Sequence, residues 1–279
     1  MRKILLALDA TNPDFTSLDF AAYMGRLTKS LVTGVFLENI AADQKAFFKK
    51  KYGLPYIAWE TDEDSMAFQS KMALIEKNIS SFEEACINRE VLYEVRRNGG
   101  IPAKDLIEES RFADLLIVDG DSSFRNRFDG TPSDFVVDIL SCAECPVIIA
   151  PETSTTINQI LFTYNRTPES FYAIKQFTYL FPQLHDRKVC VMQINETGEW
   201  ATGERLKLKK WMETYYRDIS FEALKGEPEE ELADHLFRRK NMIIVLGAYG
   251  RNALSRFFKP SKADLLMRET FQPIFIAHR

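Results

Sequence analysis

The chain has 279 residues, 46% hydrophobic and 27% charged, which is enough apolar material for two cores of ordinary domain size. A formal net charge of -4, from 36 basic and 40 acidic residues, leaves no electrostatic footprint for nucleic acid or an anionic membrane surface. No apolar run approaches a membrane span and the segment after Met1 is too short for a signal-peptide core, so a cytoplasmic protein is expected.

Residues 4–8 form a continuous apolar strand, and 15–31 repeat apolar residues at helical spacing (Phe15, Leu18, Ala22, Leu27, Leu31). Residues 32–37 read as a second strand. From 39 to 64 the pattern dissolves into an aromatic and lysine-rich stretch with Phe47, Phe48, Tyr52, Tyr56 and Trp59. It reads as an insertion at about 40–64 and as a candidate surface for a protein partner. A helix over 65–88, a strand at 91–95, a helix at 102–110, a strand at 115–118, a helix over 132–141 and a strand at 147–150 follow.

The same order then begins again: strands at 160–163, 189–194, 220–224, 242–246 and 274–277, separated by helices at 169–180, 203–217, 228–239 and 261–270. The opening runs KILLALD (3–9) and QILFTYN (159–165) match, as do the Pro-led closing runs CPVIIAP (145–151) and QPIFIAH (272–278). Two tandem copies of one module explain this most economically. The predicted fold is α/β, two doubly wound five-stranded parallel sheets, with domains at 1–152 and 153–279 and a polar boundary at 152–156. The apolar closing strands would aggregate if left bare, so the halves are expected to pair as an intramolecular pseudo-dimer, with a homodimer as a further option.

Four cysteines without secretory context do not read as a disulfide framework. Cys142 and Cys145 form a CxxC at the end of a helix, where the dipole does not favour a thiolate, and no second ligand pair suits zinc. No metal site is expected.

In a doubly wound sheet, ligands bind beyond the carboxyl ends of the strands where the strand order reverses. If each half orders its strands 3-2-1-4-5, that crevice lies between the first and fourth strands. Asp9 and Asn165 end the first strands of the two halves, and Ile194 ends the second strand of the second half. The loop after the fourth strand there opens Gly247-Ala-Tyr-Gly250-Arg251 and reaches Ser261 at the start of a helix. Two glycines three apart let backbone N–H groups approach a phosphate, and a helix start favours an anion. The same residues serve equally as turns and caps: Gly247 and Gly250 for the chain reversal, Ser261 with Asp264 and Thr131 to Asp134 for helix starts.

This pattern resembles the universal stress protein family, whose nucleotide-binding members carry G-x-x-G, nine residues, then G-[ST], between the fourth strand and the following helix. The resemblance covers the whole chain as two copies. It implies an adenine nucleotide alpha hydrolase-like fold of strand order 3-2-1-4-5, and ATP or another adenine nucleotide as a ligand that is not rapidly turned over. Gly247 and Gly250 would line the phosphates, Arg251 would assist, Ser261 would cap them, and Asn165 would lie near the nucleoside. Pro260 replaces the third motif glycine and Asn165 the usual aspartate. The first half keeps Asp9, Gly120, Gly130 and Thr131 as weaker candidates. Its loop lacks the second glycine, is three residues short of the family spacing, and carries Asp119, Asp121 and Asp129. The expected function is a non-catalytic, nucleotide-binding regulatory protein, with a nucleotide-free interaction scaffold as the alternative. A hydrolase or transferase is disfavoured because residues 247–261 contain no histidine or carboxylate.

Overall fold

The computed structural model describes residues 1–39, 45–51, 54–60, 62–124, 133–151, 156–228, 231–232, 241–247 and 272–277. Gly250, Arg251, Ser261, Gly130, Thr131 and most of the helices expected at 228–239 and 261–270 lie outside these residues.

The chain runs through β1 (Lys3–Asp9), α1 (Thr16–Thr28), β2 (Leu31–Asn39), β3 (Lys45–Lys51), β4 (Leu54–Glu60), α2 (Met66–Asn88), β5 (Tyr93–Gly100), α3 (Pro102–Ser110), β6 (Leu115–Val118), α4 (Asp134–Cys142) and β7 (Val147–Ile149). It continues with β8 (Gln159–Thr163), α5 (Pro168–Leu180), β9 (Lys188–Asn195), α6 (Thr202–Met212), β10 (Ile219–Lys225), β11 (Met242–Gly247) and β12 (Ile274–Ala277).

Ten of these strands form one sheet, ordered β10-β9-β8-β11-β12-β7-β6-β1-β2-β5. Read inward from either edge, the order is the same 3-2-1-4-5 permutation, with parallel pairing inside each set of five. The sets meet through one antiparallel pair, β12 on β7, with Phe275 opposite Ile148. Where two five-stranded sheets were expected there is one continuous sheet, because VII and IFIA satisfy each other's backbone groups and are buried as they do so.

Strand alternation divides the core by face. Ile4, Leu6, Ile160, Phe162, Val189, Val191 and Phe275 belong to the cluster covered by α1, α2, α5 and α6. Leu5, Ala7, Leu161, Cys190, Met192, Ile274 and Ile276 belong to the cluster with α3 and α4 on the opposite face. Both clusters run unbroken across the β7–β12 junction.

Helix starts follow the sequence signals. Ser65 caps α2 through the Phe68 N–H, Ser133 caps α4 through the Val136 N–H, and Thr167 caps α5 with Pro168 at the first helical position. Helix α4 therefore begins at Asp134 and its cap is Ser133, two residues beyond the start expected from Thr131 and Pro132. Helix α1 stops at Thr28, short of the predicted residue 31, because Lys29 adopts a left-handed conformation (φ 55) and the Ser30 N–H turns back to the Gly25 carbonyl. The insertion holds a β-hairpin, β3 antiparallel to β4, which forms its own two-stranded sheet apart from the ten-stranded one.

Candidate functional site

Ile194 near the end of β9, Asn165 two residues beyond β8 and Gly247 at the end of β11 come to one edge of the sheet, since β8 lies between the other two strands. Strand β8 stops at Thr163 and β9 at Asn195, so neither Asn165 nor Ile194 is the strand end expected. Asn165 is half-buried. Its Oδ1 accepts from the Thr167 N–H (3.3 Å) and from the Thr167 hydroxyl (2.9 Å). Asp9 does the same at the end of β1, accepting from the Thr11 N–H and hydroxyl (both 2.7 Å) and from the Asn12 N–H (3.2 Å). Asn195 repeats the turn at the end of β9 with Thr197 and Gly198. The aspartate of the first half and the asparagine of the second thus do the same structural job, because the turn needs only the acceptor oxygen. The loop behind Asp9 is also pinned by Asn78 of α2, whose Nδ2 donates to the Ala10 and Thr11 carbonyls.

Gly247 has a packing role. A Cβ there would lie 2.5 Å from both N and Cα of Ser170 in the first turn of α5. Four residues separate β8 from α5, whereas six separate β1 from α1. Strand register supplies the first-half counterpart. Ile243 is paired with Ile160 as Leu115 is with Ile4, and Ile244 with Ile274 as Leu116 is with Val147. Extending either register puts Asp119, and not Gly120, in the place of Gly247. Counted along the sequence from that match, Gly120 aligns with Ala248 and Ser122 with Gly250. Asp119 accepts from the Asp121 N–H at 3.1 Å, and the Ser122 carbonyl accepts from the hydroxyl of Ser133, so this loop is tied to the start of α4.

Beside Asn165, between α5 and α6, lies a cavity of about 560 Å³ lined by Tyr164, Arg166, Phe171, Gly203, Glu204 and Lys207, with Ala201 and Leu208 completing its wall. The Tyr164 hydroxyl donates to Glu204 Oε1 (2.9 Å), and Arg166 Nε lies 2.6 Å from Oε2 as an ion pair. The Tyr164 ring stacks on Trp200 at a centroid distance of 5.9 Å and an interplanar angle of 9°. Burial, with the bond to Glu204 adding to it, pushes the Tyr164 phenol up to about 12. None of these residues was singled out by sequence reasoning, because Tyr164 and Glu204 are 40 positions apart and no motif links them. No group of His, Cys, Asp and Glu side chains among the described residues could hold a metal ion. Cys145 is buried beside Asp114 and its thiol is pushed up to about 12, which suits a packed side chain and not a reactive thiolate. No helix among the described residues is long and apolar enough to cross a membrane.

No family model matches the chain, and no curated protein matches it in sequence. Solved structures do. A universal stress protein from Archaeoglobus fulgidus DSM 4304 superposes with a TM-score of 0.71 at 15% identity, covering 99% of this chain and 96% of its own. A putative universal stress protein from Pseudomonas aeruginosa UCBPP-PA14 superposes with a TM-score of 0.57 at 12% identity, covering 100% and 93%. Identity at this level speaks for architecture, and the coverage extends over both sets of strands. The chain therefore has the α/β fold of the universal stress proteins, over its whole length.

Proposed function

We propose that the chain is a universal stress protein that works as a non-catalytic, adenine-nucleotide-binding regulator in the cytoplasm, with the nucleotide in the second half. The observation that carries this reading is the strand order. It puts the reversal point between β8 and β11, with Gly247 ending β11 and Asn165 in the turn two residues beyond β8. Ile194 is the last residue but one of the neighbouring strand, β9. In this reading Gly250, Arg251 and Ser261 hold the phosphates. The sequence 247–261 supports it by offering glycines and cations without an acidic side chain. The first-half site, with Asp9, Gly120, Gly130 and Thr131, is the weaker one, since Asp119 and Asp121 stand where phosphates would lie.

Calorimetry with ATP, ADP and AMP tests the reading. Saturable heat is expected for the parent and none for Gly250→Asp. Ser122→Asp, the register-matched change, should leave the heat intact. Absence of heat with all three nucleotides for the parent would sink the nucleotide reading and favour a scaffold acting through the 40–64 insertion.

A further inference from the structure

We propose that the cavity between α5 and α6 binds a small organic monocarboxylate with an apolar body, its carboxylate held by Arg166 and Lys207. The inference rests on the cavity alone and is independent of the nucleotide.

Charge comes first. Lys207 follows Glu204 by three positions on α6, so both side chains lie on one face of the helix. Among the described residues Lys207 has no ion-pair partner, and Arg166, at the surface, has Glu204 as its ion-pair partner. Two cations against one carboxylate leave one positive charge in excess. A monoanion neutralises it, whereas a dianion such as phosphate would meet the repulsion of Glu204. The planar fork of an arginine matches a carboxylate.

Shape comes second. A volume of about 560 Å³ falls in the range of about 300 to 1,000 Å³ that takes small ligands. Phe171, Leu208 and Ala201 give an apolar wall, and at Gly203 an added Cβ would meet nothing within 4 Å, so the mouth is open on that side. Below the Tyr164 wall, Gln193 is the next position along β9 from Met192, which pairs with Thr163, so it faces Tyr164 across the strands on the same side of the sheet. Gln193 is only 4% exposed and its Oε1 has no hydrogen-bond partner. This acceptor lies outside the cavity lining, on the strand beside Tyr164.

The test is calorimetry on the full chain with 3-phenylpropionate as the probe, and with its neutral amide and inorganic phosphate as comparisons. Saturable binding of the carboxylate with a Kd near about 1 mM is expected for a ligand of this size. Arg166→Gln and Lys207→Gln should each weaken it by about tenfold or more while circular dichroism stays that of the parent. Both side chains are at the surface, so either variant serves if the other folds poorly. AMP added to carboxylate-saturated protein should not displace the probe. The proposal is overturned by equal binding of the amide, by phosphate binding as tightly as the carboxylate, by displacement with AMP, by indifference to both substitutions, or by no saturation up to about 20 mM.

Discussion

Gly247 at the end of β11 and Ser170 in the first turn of α5 approach so closely that no side chain fits between them: a Cβ on Gly247 would sit 2.5 Å from the Ser170 backbone. The contact is made by backbone atoms on both sides, so neither can swing aside. Gly247→Ala should therefore cost about 1 to 3 kcal/mol, the range for forcing extra volume into a packed site. Asp119→Asn at the matching position of the first half keeps the acceptor for the Asp121 N–H and should stay within about 0.5 kcal/mol, as a side chain is already accommodated there. Urea unfolding of the two variants checks this. Equal losses would show that the longer loop before α1 brings its helix just as near.

The turn at Asn165 separates an acceptor role from a charge role. Asn165→Ala removes the oxygen that receives the Thr167 N–H and hydroxyl, and should cost about 1 to 2 kcal/mol. Asn165→Asp keeps the oxygen and restores the residue found at position 9, so its stability should be within about 0.5 kcal/mol of the parent. A large loss for both would mean that the amide Nδ2 has a partner of its own that matters.

The repeated apolar strands were legible because strand and helix periods differ and the closing runs share a proline followed by apolar residues, whereas their order in the sheet came from the resemblance to the universal stress proteins. Less legible was everything set by backbone conformation without a marker residue. Lys29 ends α1 in the left-handed region, where glycine is the usual signal, so Leu31 reads as helix and is strand. Strand β5 runs from Tyr93 to Gly100, beyond the expected residue 95, because an edge strand with Arg96, Arg97 and Asn98 shows no apolar run. The hairpin β3–β4 was hidden by its lysines. At the candidate site, Asp9 was visible as a strand end, whereas Asn165 reads as one and lies in the turn two residues beyond β8. The packing reason for Gly247 was not, since it depends on how far α5 starts from the sheet.

The antiparallel junction of β7 and β12 should carry much of the stability of the continuous sheet. Phe275 is fully buried there, edge-on to Phe177 at 5.2 Å and to Phe181 at 6.0 Å. Phe275→Ala should cost about 3 to 5 kcal/mol. Residues 1–152 and 153–279 produced as separate chains should each be less soluble than the whole, and should recombine when mixed, which size-exclusion chromatography would detect. Two stable monomeric fragments that ignore each other would contradict a junction of this kind.

The hairpin β3–β4 pairs only with itself, so removing residues 41–61 and bridging 40 to 62 with a short glycine-serine link should leave the ten-stranded sheet intact. Far-ultraviolet circular dichroism and the unfolding midpoint report this. If the segment is an interaction surface, the deletion changes association and little else. Loss of cooperative unfolding would place its aromatic residues in the core.

The last prediction concerns alkaline pH and Tyr164. An unfolded tyrosine ionises near about 10, whereas burial and the bond to Glu204 push the folded phenol up to about 12. The neutral phenol is therefore favoured by the fold, and its contribution is fully present below the unfolded value and lost as pH rises through the folded one. Stability should fall with pH between about 10 and 12 for the parent, and part of that fall should vanish in Tyr164→Phe. Tyr216, buried and hydrogen-bonded to Thr178, is raised as well and supplies a background that the variant keeps. Ultraviolet titration of the phenolate band resolves the difference, with one late-ionising tyrosine fewer in Tyr164→Phe. An unchanged count would mean that Tyr164 ionises with the exposed tyrosines, and that its bond to Glu204 does not hold in solution.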